Sequence, residues 1–168
     1  HFLLVTGLLE NLAPEGRVVI VSSAAHRAAP RGGIEFDNLG GERGDSPWKA
    51  YGQSKLANLL FARELARRLR GSRRTANALH PGVIRTELGR HMNVVMRHGM
   101  GLLGPIFLKT PGQGAATQCF LATHPSLAPV SGEYFVDCNV ARSTADGRNF
   151  EQAARLWQVT EEWIGRLG

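Results

Sequence analysis

The sequence predicts an α/β fold built on a doubly wound, parallel sheet. Three observations predict it: the β-branched run Arg17-Val-Val-Ile-Val-Ser-Ser23, apolar positions at helical spacing over residues 48–69, and a second short apolar strand over 75–79. Strand, helix and strand in alternation bury a parallel sheet between helices. At 168 residues the chain is expected to form one unit over 1–168.

The elements follow in order. Leu3, Leu4, Leu8, Leu9 and Leu12 recur as one helix face, so the chain is expected to open inside a helix over 1–12. After the breaker Ala13-Pro-Glu-Gly16, the run 17–23 reads as a strand buried on both faces. Residues 24–47 are rich in Gly, Pro, Asp and Arg without a period and read as a long loop anchored by Ile34, Phe36 and Leu39. Leu56, Leu59, Leu60, Leu65 and Leu69 define the helix over 48–69, and Gly71 stands where it would stop. The strand over 75–79 ends at His80-Pro81-Gly82, where proline removes a donor and glycine permits a turn. A helix over 112–122, a third strand over 132–137 and a Trp-bearing helix over 150–164 complete the series.

Composition excludes several function classes. Hydrophobic residues make up 43% and charged residues 20%, a globular rather than disordered balance. The net charge is +6, and Arg63, Arg67, Arg68, Arg70, Arg73 and Arg74 form a basic run. Glu64 breaks it and no aromatic beyond Phe61 interleaves it, so it reads as a solvated helix face and not a nucleic-acid surface. Cys119 and Cys138 read as free intracellular thiols, which sets the expected location as cytoplasmic. The six histidines form no metal-ligand pair, so no metal is expected. The run 100–108 is broken by Gly104 and Pro105 and is too short to span a membrane.

Tyr51-Gly-Gln-Ser-Lys55 places a phenol and an ammonium four apart on one helix face. A nearby cation favours a phenolate, which suits tyrosine to acid/base work. Ser23 stands at the carboxyl end of a parallel strand, the edge where α/β sheets bind ligands, and its hydroxyl can hydrogen-bond a reacting oxygen. Ser22, one position earlier, is expected to point to the other side.

With Ser22-Ser23, Tyr51-x-x-x-Lys55 and His80-Pro81-Gly82-Val83-x-x-Thr86 in this order, the chain resembles the short-chain dehydrogenase/reductase family, in its retinol-dehydrogenase-like branch. The likeness is carried also by Gly33-Ile-Glu-Phe-Asp-Asn-Leu39, by residues 51–61 and 79–91, and by Ser131-Gly-Glu-Tyr-Phe-Val-Asp137. Ser23 and Tyr51 are 28 positions apart, a wide spacing that the branch shares. The resemblance implies a Rossmann-like sheet and hydride transfer between a nicotinamide cofactor and an alcohol, aldehyde or ketone. It implies Tyr51 as acid/base, Ser23 as stabiliser of the substrate oxygen, and Lys55 as holder of the nicotinamide ribose. Tyr51, Lys55, Pro81, Gly82, Val83 and Thr86 would contact the cofactor, with NADP favoured over NAD. The family's habit of pairing the helix that begins at Tyr51 raises a homodimer, which Arg63, Arg67 and Arg70 oppose.

The family's glycine-rich nucleotide loop and catalytic asparagine have no counterpart here. The resemblance therefore implies the C-terminal portion of the domain, lacking the N-terminal nucleotide-binding strands and inactive alone. A non-catalytic remnant or binding scaffold is the alternative. Gly99-Met-Gly-Leu-Leu-Gly104 matches G-x-G-x-x-G but follows no strand and runs into Pro105, so it reads as a coincidence. A serine hydrolase is excluded, because Gly52-Gln-Ser-Lys-Leu56 lacks the second glycine of a nucleophile elbow. Met92, Val94, Val95, Met96, Leu102, Leu103 and Phe107, with the 24–47 loop, would line an apolar substrate pocket suited to a lipophilic alcohol such as a retinoid.

Overall fold

A computed structural model of the chain describes residues 1–44, 46–84 and 108–166. Strands β1 (Arg17–Val21), β2 (Thr75–His80), β3 (Tyr134–Val136) and β4 (Asn139–Val140) lie side by side in that order. β1 and β2 are parallel, with Arg17 opposite Thr75 and Val21 opposite Leu79. β3 is parallel to β2, and β4 turns back antiparallel onto β3. The helices are α1 (Phe2–Leu8), α2 (Pro47–Arg68), α3 (Pro111–Thr123) and α4 (Phe150–Gly165).

Side chains alternate across a strand, and the sheet uses both faces. Val18, Ile20, Ala76, Ala78 and Tyr134 pack with Leu59, Ala62 and Leu65 of α2 and Trp157 of α4. Val19, Leu79 and Phe135 meet Phe120 and Leu121 of α3 on the other side. The doubly wound arrangement is thus present, with helices on both faces.

α2 is built from local signals that agree. Ser46 caps it by accepting from the Lys49 N–H at 3.2 Å, Pro47 opens it, and Gly71 at φ +89° lies just beyond its end. Leu56, Leu59, Leu60 and Leu65 are fully buried. The basic run at its end is exposed at Arg67, Arg68, Arg70 and Arg73, as expected of a solvated face, while Arg63 and Arg74 are half-buried. Glu64 is fully buried and pairs with Arg67 at 2.7 Å and Arg68 at 2.8 Å. The Arg67 hydrogen bond, helped by Arg68, holds the Glu64 carboxyl below its usual range against the opposing effect of burial. Arg68 also lies 4.1 Å from the Trp157 ring centre, and Trp157 stacks on Phe61 at 5.6 Å.

Four expectations are corrected. The first helix covers only Phe2–Leu8 before a 3-10 turn at Leu9–Asn11. β1 is not buried on both faces: Ile20 alone among its residues is buried and Val21 is 38% exposed, because β1 is the edge strand of the described sheet. The third strand is shorter than 132–137, since Asp137 and Cys138, at φ 53° and 61°, form the two-residue turn into β4. The 24–47 loop contains a 3-10 turn at Ala24–Ala28, while its expected anchors Ile34, Phe36 and Leu39 do pack with Leu56 and Leu60. Thr86, the 99–104 glycine motif and the expected pocket residues from Met92 to Phe107 lie outside the described residues.

His26, 1% exposed, locks the 3-10 turn in place. Its Nε2 accepts from the Thr144 N–H at 3.4 Å, so Nδ1 carries the proton that it donates to the Ser23 carbonyl oxygen at 2.6 Å. Burial, with a smaller contribution from Arg27, pushes the His26 pKa down, while the Ser23 carbonyl opposes that shift. The ring meets Tyr134 edge-on at 5.1 Å, and burial pushes the Tyr134 hydroxyl up to about 12.

Two outcomes are expected in urea unfolding of the 168-residue chain. Leu59→Ala should lower stability by about 2–5 kcal/mol through the cavity it leaves among α2, the sheet and α4. The neutral form of His26 is favoured on folding, so its contribution is complete above its ordinary pKa of 6.5 and is lost as pH falls below that value. Stability should therefore fall below neutral pH with a slope of at most about 1.4 kcal/mol per pH unit for each such histidine. His26→Gln should flatten that slope, leaving the part due to His80, whose pKa burial also lowers; an unchanged slope would contradict the assignment.

Candidate active site

The carboxyl ends of β1 and β2 and the first turns of α2 bring most of the expected residues to one edge of the sheet. Consecutive side chains on an extended chain point opposite ways, which divides Ser22 from Ser23. Ser22 is 2% exposed and donates its hydroxyl to the Lys55 carbonyl oxygen at 2.7 Å. Asn58 makes a second tie, donating to the Val21 carbonyl oxygen at 3.0 Å. Together these bonds fix α2 against the end of β1.

Ser23 is half-buried, and its Oγ accepts from the Ala25 N–H at 3.1 Å. That bond uses the oxygen as an acceptor, so the hydroxyl proton is left to donate to a ligand oxygen. His26 holds the Ser23 carbonyl from behind, as described above.

Tyr51 and Lys55 are brought together. The Lys55 Nζ lies 5.3 Å from the Tyr51 ring centre, over the ring rather than at its hydroxyl. Tyr51 is 44% exposed, and Trp48 lies 5.8 Å from it. Lys55 makes no hydrogen bond or ion pair through its ammonium among the described residues, which leaves its three donors for a ligand. No hydrogen bond joins Ser23 to Tyr51 among the described residues; the two are related through Ser22 and Gly52 instead. A Cβ on Gly52 would come within 2.7 Å of the backbone of Ala28 and Ala29, so only glycine permits this approach.

Pro81, Gly82 and Val83 continue from β2 to the same edge. Gly82 has φ +91°, a conformation that favours glycine. Val83 is 60% exposed, and its carbonyl accepts from the Lys109 N–H at 2.8 Å. Thr86 lies outside the described residues.

Sequence reasoning missed Lys109 and Asp137. Lys109 pairs with Ile84 in an isolated parallel bridge, its stem crosses Gly82, and its ammonium forms an ion pair with Asp137. Lys109 sits in no motif, immediately before the helix cap Thr110, and Asp137 closes the passage Ser131-Gly-Glu-Tyr-Phe-Val-Asp137, where it reads only as part of the family likeness and not as a partner of Lys109. Burial, then Lys109, pushes the His80 pKa down, and the His80 Nδ1 has no hydrogen-bond partner. Among the described residues no group of three His, Cys, Asp or Glu could hold a metal ion.

No family model matches the chain. Among curated proteins it is 42% identical over 172 residues to retinol dehydrogenase 14 of Homo sapiens, covering 99% of this chain and 50% of that protein. It is 45% identical over 167 residues to human retinol dehydrogenase 11, covering 98% and 51%. The short-chain dehydrogenase TIC 32 A, chloroplastic, of Brassica napus is 43% identical over 179 residues, covering 99% and 55%. The chain spans about half the length of the curated relatives it matches. Of solved structures, an uncharacterised protein of Mycobacterium paratuberculosis has a TM-score of 0.70 at 31% identity, covering 96% of this chain and 54% of that one. A metagenomic blue fluorescent protein in complex with NADPH has a TM-score of 0.58 at 23% identity, covering 80% and 48%, and speaks to the fold alone. The two-sided parallel sheet, the Tyr51 and Lys55 pair at its edge and these relatives together show that the chain belongs to the short-chain dehydrogenase/reductase family and is similar to its retinol dehydrogenases.

Proposed function

We propose that this chain carries the catalytic residues of an oxidoreductase that moves a hydride between NADP, or NAD, and an alcohol, aldehyde or ketone. The observation that supports it most is the pairing of Tyr51 with Lys55 on a helix that Ser22 fastens beside Ser23. When bound, the nicotinamide would accept a hydride from the alcohol carbon or return one to the carbonyl carbon. In the oxidising direction the Tyr51 oxygen takes the proton of the substrate hydroxyl; in the reducing direction it gives that proton to the carbonyl oxygen. Ser23 donates its hydroxyl to the same oxygen, stabilising the charge that develops there. Lys55 holds the ribose hydroxyls and orients the ring, while the turn at Pro81, Gly82 and Val83 offers backbone groups at close range. Thr86 belongs to the same set by the family resemblance.

The cofactor preference rests on the resemblance, and NADPH is named for one solved structure of this fold. A lipophilic substrate such as a retinoid is suggested by the names of the retinol dehydrogenase relatives and by the apolar composition over 92–107. A homodimer through α2 belongs to the same proposal: Glu64 neutralises Arg67 and Arg68 within the helix, removing part of the repulsion expected there. No described helix is long and apolar enough to cross a membrane. A cytoplasmic location is inferred from Cys119 and Cys138, both free thiols.

The competing reading is a scaffold without chemistry. It draws support from the open edge of β1 and from the Lys109 side chain lying across Gly82, where a ligand would approach. A fluorescence titration with NADPH and NADH separates the two, run on the 168-residue chain and on a longer chain that adds the half of the relatives' length not matched here. Cofactor binding by the longer chain, with alcohol turnover, is the expected result. In that chain Tyr51→Phe should lower turnover by about 10²–10⁴-fold while cofactor affinity stays within error. Turnover at the unsubstituted rate would sink the mechanism, and no binding in either chain, both folded, would favour the scaffold.

A further inference from the structure

The end of the sheet opposite Tyr51 has a cavity of about 500 Å³ beside the first residue pair of β1 and β2, Arg17 and Thr75. The volume falls within the range of about 300–1,000 Å³ typical of small-molecule sites. Arg17, Arg70, Arg73 and Arg74 line it against one carboxylate, Glu15. Glu15 is already engaged by Arg73 at 2.7 Å. Among the described residues Arg17 and Arg74 are bonded only to backbone carbonyls, those of Leu121 and His124 and those of Leu12 and Ala13. Arg70 has no side-chain partner among the described residues. Arg17, Arg70 and Arg74 therefore line this space without a carboxylate of their own among the described residues.

A second observation is independent of the charge. Thr75, 5% exposed, lines the same cavity, and its Oγ1 has no hydrogen-bond partner. Native folds rarely leave a buried hydroxyl unpaired, and this one has hydrogen-bonding capacity unused by the protein at the cavity wall. The remaining wall is apolar, made by Ala66, Leu69, Ala128 and Pro129. No aromatic side chain lines the space, which disfavours the base stacking that single-stranded nucleic acid uses.

We propose that this cavity is a second ligand site, separate from the Tyr51 edge, that binds an organic phosphate carrying an apolar stem. The arginines supply charge-assisted hydrogen bonds to the phosphate oxygens, and the wall at Leu69 and Pro129 covers the stem. The phosphate ester is either soluble or the head of a bilayer lipid, since both present the same chemistry. The site does not depend on the oxidoreductase reading.

Calorimetric titration of the 168-residue chain tests it with inorganic phosphate and with monomeric dihexanoyl phosphatidate; flotation with phosphatidylcholine vesicles containing phosphatidate identifies the source. The phosphatidate should bind saturably and more tightly than inorganic phosphate. Arg70→Ala combined with Arg73→Ala should weaken it by about tenfold or more, the scale of lost charge-assisted bonds. Arg43→Ala, an exposed arginine elsewhere, and Tyr51→Phe should leave it unchanged. Thr75→Val should weaken binding without lowering the stability of the free chain, because the hydroxyl it removes has no partner to lose. Flotation that the double substitution abolishes supports the site with a bilayer source; monomer binding without flotation supports it with a soluble one. Absence of phosphatidate binding, or binding indifferent to the double substitution and to Thr75→Val, overturns the proposal.

Discussion

The backbone of α2 passes so close to the 3-10 turn after β1 that a Cβ at Gly52 would lie 2.7 Å from Ala28 and Ala29. That approach is the constraint on which the candidate site depends. It lets Ser22 reach the Lys55 carbonyl and Asn58 reach the Val21 carbonyl, so the helix that carries Tyr51 and the strand that ends at Ser23 become one rigid corner. His26 braces the same corner from the other side by joining the Ser23 carbonyl to the Thr144 amide. A catalytic group on α2 inherits its position from these backbone contacts and not from any direct bond to Ser23.

The rest of the molecule serves that corner by keeping α2 in place. Its apolar face meets the sheet and α4, while Glu64 is buried without being left unpaired because two arginines one turn on reach back to it. A buried carboxylate so paired is sensitive to loss of either partner, since removal leaves charge out of water. The stacking of Arg68 on Trp157 and of Trp157 on Phe61 joins this ion pair to the hydrophobic layer.

Most of the architecture was legible in the sequence because its signals are periodic or punctuated. The leucines of α2, the β-branched run of β1 and the stop at Gly71 each agree with the element observed. The pairing of Tyr51 with Lys55 followed from helical spacing alone. What was not legible has no one-dimensional trace. The exposure of β1 depends on what stands beside it, which β-branched composition does not encode. The turn at Asp137 and Cys138 places both residues in left-handed conformations, and at the second position sequence patterns look for glycine, not cysteine. Lys109 and Asp137 meet only because a distant segment crosses Gly82, and the clamp of His26 on Thr144 joins positions far apart in the chain.

The parallel pairing of β1 with β2 has a kinetic meaning as well. Arg17 finds Thr75, and Ala78 finds Tyr134, only across long stretches of chain, and the turn between β3 and β4 is the single tight hairpin among the described strands. Parallel strands cannot zip from a hairpin, and such distant contacts must overcome loop-closure entropy before they are rewarded. α2, with its own cap and stop, shortens the first of these searches by condensing 22 residues into a rod. The helix that aims Tyr51 is thus also the element whose early formation lets β1 and β2 meet.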